Sequence, residues 1–175
     1  MVVSIGSRRG KDRDDGDVVD ALLECHGRIR DMLAIAARLG AADAPGAEDV
    51  RTAAARVRRY FVEALPRHVA DEEEDLQPRL VGRDPAVDAA LATMHAEHAE
   101  HERDLGRFLE LCATLEQDPA RHGELAAALA GAAATVASRL APHLELEEQV
   151  IFPAVRALPA AEREAISAAM RARRT

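Results

Sequence analysis

Apolar residues return along this chain at alternating steps of three and four, in four long segments separated by short polar stretches. That period is the one a helix needs to bury a single stripe, so each segment reads as an amphipathic helix. The first stripe runs Val19, Leu22, His26, Ile29, Leu33, Ala36, and the second Val50, Ala54, Val57, Phe61, Leu65, His68, Glu72. The third runs Leu91, Met94, His98, His101, Leu105, Phe108, and the fourth Leu125, Leu129, Val136, Leu140, His143, Glu147. Between them lie "GAADAPGAED", "VGRDPA" and "EQDPARHG"; in the second of these, Asp84 reads as a helix N-cap and Pro85 as the first helical residue.

The stripes repeat. The third superposes on the first at a spacing of 72 residues, with His98 on His26, and the fourth on the second at 75, with His143 on His68 and Glu147 on Glu72. A duplicated helix hairpin with short loops closes as an all-α, antiparallel up-down-up-down four-helix bundle. The expected organisation is a flexible N-terminal tail over 1–16, the bundle over 17–158, and a short amphipathic C-terminal helix and tail over 159–175. Composition agrees with an all-helical chain. Apolar residues make up 48% and charged residues 31%, while aromatics are only 2%. Ala, Leu, Arg and Glu cost little in a helix, and the residues strands prefer are scarce.

A net charge of -8 argues against a nucleic-acid partner, which needs a basic face. No stretch reaches the roughly 18 to 20 uncharged apolar residues of a membrane span, and no apolar core follows the basic residues near the N-terminus as a secretory signal requires. Cys25 and Cys112 have no paired spacing of the zinc or redox kind. A cytoplasmic protein with reduced thiols, binding neither membrane nor nucleic acid, is expected; no protein partner can be named.

The chemistry lies in the polar residues that interrupt the stripes. Counting from the connecting loops places His26, His68, His98 and His143 at one depth. Residues four apart on a helix are separated by about 6 Å of rise and about 40° of rotation, so His68 and Glu72 point the same way, as do His143 and Glu147. Four imidazoles and two carboxylates on the bundle axis call for cations, because a buried unpaired carboxylate must otherwise protonate. Two carboxylates can bridge two metals about 3.5 to 4 Å apart, with two imidazoles for each. The absence of thiolate favours iron or manganese, with zinc and copper left open.

The order His, His-x-x-x-Glu, His, His-x-x-x-Glu, set in "LPRHVADEEEDLQP" and "APHLELEEQVIFPAV", resembles the hemerythrin-like, cation-binding HHE family over residues 18 to 158. A Pro shortly before His68 and before His143, and another six residues after Glu72 and after Glu147, fit the same pattern. The resemblance implies two non-haem iron ions, carboxylate- and oxo- or hydroxo-bridged, with His26, His68, His98 and His143 as terminal ligands and Glu72 and Glu147 as bridges. It implies a small diatomic ligand, O2 or NO, bound or sensed; the alternatives are an enzyme acting on peroxide or nitric oxide, or an iron donor in stress repair of iron-sulfur clusters. Oxygen-carrying hemerythrins have a fifth histidine where this chain has Met94, and an aspartate one residue beyond the position of Glu147.

His101 shares the seam three residues beyond His98 and admits three readings: a fifth histidine ligand, a neighbouring proton donor, or a polar seam residue. His95 is expected at the surface and His122 in an exposed loop. Glu73, Glu74, Asp75 and Glu148 read as a solvated acidic face or an entry path for cations. Tyr60 reads as an ordinary residue or a redox neighbour, and Cys25 as structural.

Overall fold

The computed structural model describes residues 17–175, so the N-terminal tail expected over 1–16 lies outside the described residues. Among the described residues there are five long helical segments: α1 (Val18–Ala41), α2 (47–80), α3 (Pro85–Gln117), α4 (122–156) and α5 (Ala160–Ala172). Among the described residues no strand occurs. The first four form a ring in which α1 packs on α2, α2 on α3, α3 on α4 and α4 on α1. That is the antiparallel up-down-up-down bundle the repeated stripes predict.

The loops close as their residues dictate. Asp84 caps α3, its side chain accepting from the backbone N–H groups of Ala86 and Val87 at 2.7 and 3.3 Å, and Pro85 fills the first helical position where an N–H would have no partner. Gly82 supplies the left-handed turn at φ 80° and donates its N–H to Asp88. At the other end α1 and α4 come so close at Gly40 that a Cβ there would meet the Ala130 backbone nitrogen at 2.7 Å. The expected exposed loop around His122 is corrected. His122 opens α4, is buried, and donates Nε2–H to the Leu39 carbonyl at 2.8 Å, tying the two helix ends together.

The core comes in two parts. One, containing Ile29, Phe61, Leu65, Leu105, Phe108 and Leu140, fills the end with the α1–α2 and α3–α4 loops. The other, containing Leu22, Leu76, Met94, Ile151 and Phe152, fills the opposite end and takes in Ile166 and Met170 of α5. Between them, on every helix of the ring, the buried positions are polar: His26, then His68 and Glu72, then His101, then His143 and Glu147, with His98 half-buried beside them.

One helical stretch among the described residues, Pro119–Arg156, is long and apolar enough by length and composition to cross a membrane, its most apolar 18-residue window having a mean hydropathy of 1.3. The sequence reading expected no such window. Closely spaced alanines between Leu125 and Leu140 raise the average without supplying large apolar side chains. This same helix carries His143 and Glu147 into the interior and packs between α1 and α3.

Candidate metal centre

Two of the helices bearing site residues depart from α geometry at the site. Turns with the wider π pattern occur at Tyr60–Ala64 and Asp71–Leu76 in α2 and at Glu147–Ile151 in α4. Each is followed by a proline: Pro66, Pro78 and Pro153. A proline ring clashes with the carbonyl four residues earlier and offers it no N–H. Those carbonyls belong to Val62, Glu74 and Gln149, and each lies inside a π turn. Each bulge thus absorbs a proline's clash and lets its helix run on, although Pro142 is accommodated in α4 without one, and both glutamates of the site lie within a bulge.

The side chains of all four helices meet in the polar layer. The Nε2 of His26 lies 3.1 Å from one oxygen of Glu147, and the Nε2 of His143 lies 2.9 Å from the other. Glu72 is divided in the same way, its two oxygens 3.2 Å from the Nε2 of His68 and 3.4 Å from that of His98. Each carboxylate therefore spans one imidazole from each half of the duplicated chain. The rings pair as His26 with His68, centroids 5.1 Å apart, and His98 with His143, 4.9 Å apart. Donor atoms of His26, His68, Glu72 and Glu147 all lie within 4.8 Å of one another, and so do those of His98, His143 and Glu147.

These atoms have nothing else to bind. Both oxygens of Glu72 and of Glu147, both ring nitrogens of His68, and the Nε2 atoms of His26 and His98 are buried without a hydrogen-bond partner. Buried polar atoms are nearly always satisfied, so orphans converging in two adjoining groups fit cations far better than an empty core. Electrostatics agrees. Burial, and then the neighbouring Glu147, hold the Glu72 carboxyl well above the usual carboxylate range. Burial also pushes Glu147 up, but the His143 and His26 imidazoles outweigh it and hold this carboxyl low. Desolvation lowers His68 to about 3 and lowers His98 as well, keeping both imidazoles neutral as metal ligation needs.

The far sides of the rings are held too. The Nδ1–H of His26 donates to Glu148 at 2.7 Å, that of His98 to Glu73 at 2.9 Å, and that of His143 to Glu97 at 2.8 Å. The reading of Glu73 and Glu148 as a solvated face is corrected: each turns inward onto a histidine of an adjacent helix. Asp75 is buried as well, beside Asp71, where Arg173 and Arg174 from the end of α5 clamp them. Glu97 was not singled out by the sequence. Its one signal was its place next to His98.

His101 is buried at the margin of the group, its ring centroid 4.7 Å from that of His143, and it belongs to neither set of converging donors. His95 is exposed and shares Glu73 with His98, at 3.0 Å. Tyr60 points elsewhere and donates its hydroxyl to the Cys25 carbonyl at 3.1 Å; Cys25 itself is half-buried. Met94, where oxygen carriers place their extra histidine, is wholly buried in the second core. Between α2 and α3 a cavity of about 470 Å³ runs in past Val62, Leu65, Val69 and Leu105, with His101 among its lining, and ends on His68, Glu72, His98 and His143.

A helix bundle with a buried His/Glu donor cluster divided between two carboxylates defines a metal-binding protein of the all-α class. The hemerythrin HHE cation-binding domain matches residues 17–155, nearly the whole described chain, and the protein belongs to that family. No curated protein matches it.

Proposed function

We propose that the six donors hold two iron ions, bridged by Glu72 and Glu147, and that the centre binds O2 or NO in order to store, deliver or report it. The observation that carries this reading is the division of each buried glutamate between two imidazoles, which leaves every donor aimed at one of two points. Imidazole and carboxylate without thiolate suit iron, and neither cysteine lies in the donor group. Bound there, an iron pair supplies redox chemistry and coordination positions that the protein leaves open. The chain's own part is to hold the imidazoles aligned, with burial keeping His68 and His98 neutral, to keep bulk water out with the apolar layers on either side, and to admit a small molecule through the cavity between α2 and α3.

Metal analysis and absorption spectroscopy of protein purified without added metal test this directly. The expected result is two irons per chain and a charge-transfer band that forms on exposing the anaerobically reduced protein to O2 or NO and reverses on removing the gas. Irreversible oxidation with peroxide consumed over many turnovers would replace the binding role with an enzymatic one. Protein that takes up no iron would remove the reading altogether.

A further inference from the structure

We propose that Glu73, Glu97 and Glu148 are positioning residues that make the two ion positions unequal, the His98–His143 position binding its ion more tightly than the His26–His68 position. This rests on the reading of the donor cluster as a two-metal centre. A carboxylate that accepts the Nδ1–H of a ligand imidazole fixes its tautomer, aims Nε2 at the metal and makes that nitrogen a stronger donor. At the His98–His143 position both rings are held in this way, by Glu73 and Glu97. At the other position only His26 is held. Its partner Glu148 is also held by the Arg30 guanidinium at 2.8 Å, much as Glu73 is shared with His95 at 3.0 Å. His68 has no acceptor for Nδ1 at all.

The inequality traces to a single break in the internal repeat. Glu73 and Glu148 directly follow the two site glutamates and are equivalent at the 75-residue spacing, and the rings they hold, His98 and His26, are equivalent at 72. That pair is symmetric. Glu97 precedes His98, and the residue at the same place before His26 is Cys25. A thiol on this shorter side chain does not reproduce the carboxylate, so His143 is held and its counterpart His68 is not.

Stepwise anaerobic titration of the metal-free protein with cobalt(II), followed by its visible absorption, and with iron(II) tests the inference. Two resolved steps are expected for the unaltered protein. Glu97→Leu should weaken the tighter step by about 10- to 100-fold and leave the weaker one in place, whereas Glu148→Leu should weaken only the weaker step. Glu97→Gln, which keeps an acceptor but not the charge, should lose less than Glu97→Leu. These side chains are about one-third exposed, so the fold should tolerate the changes, which circular dichroism and the unfolding midpoint will verify. Two steps of equal affinity in the unaltered protein, or a Glu97→Leu variant in which both steps fall alike, would overturn the inference while leaving the metal centre standing. No uptake of either metal would overturn the centre and this inference with it.

Discussion

Glu72 illustrates how a residue can oppose the fold and serve the site. It is buried with both oxygens unpartnered and has Glu147 as a neighbour, so without a cation it survives by keeping its proton. We expect Glu72→Gln to leave the metal-free protein as stable as before or more stable by about 1 kcal/mol, because a neutral amide replaces a group that resists ionisation. The same variant should fail to retain its full complement of metal. Urea unfolding with chelator present and metal analysis without it would measure the two effects; full retention of both ions would refute the bridging role. Cys112 offers a separate test. Burial pushes its thiol up to about 12, above the ordinary value of 9.0, so its contribution is complete below pH 9 and is lost as pH rises toward 12. Between pH 8 and 10.5 the protein should lose about 1 to 2 kcal/mol that a Cys112→Ala variant does not lose, as read from urea midpoints at the two pH values.

At the scale of elements, helix α5 does more than cover the end of the bundle. Just past its C-terminus, Arg173 and Arg174 meet Asp71, Glu74 and Asp75 on the π turn that also carries Glu72. Asp71 is fully buried, and removing both guanidinium groups would leave its charge without a partner. The Arg173→Ala, Arg174→Ala double variant should therefore lose about 3 kcal/mol of stability, and Asp71→Asn added to it should restore part of the loss. The close approach of α1 and α4 makes a second prediction. Alanine favours a helix over glycine by about 1 kcal/mol, yet Gly40→Ala should destabilise by about 1 to 3 kcal/mol because its Cβ would displace the backbone of α4 at Ala126 and Ala130. Thermal melts of the single variant would decide the sign.

For the molecule as a whole, the polar layer is a seam between two apolar cores, and its donors come from all four helices of the ring. A metal that binds only the folded arrangement should stabilise both halves together, by about 2.7 kcal/mol when free metal is a hundredfold above its dissociation constant. Chelation should lower the melting midpoint of the entire transition rather than detach one end, and calorimetry with and without chelator would report it.

How much of this could be read in advance followed from physical range. The period of three and four, the duplication, the bundle and the register of His26, His68, Glu72, His98, His143 and Glu147 are properties of single helices and their spacing, and the amino-acid sequence by itself determined them. His122 could not be placed, because its burial depends on the Leu39 carbonyl, 83 residues away, which no local pattern announces. The π turns, although their prolines are plain in the sequence, altered the local geometry in ways that periodicity does not track. Only the tertiary structure decided that Glu73, Glu97 and Glu148 turn onto the imidazoles and that Asp71 and Asp75 meet α5. A side chain's direction about its own helix is a local matter, whereas its partner across the bundle depends on the rotation and separation of two helices, which the packing of the whole molecule sets.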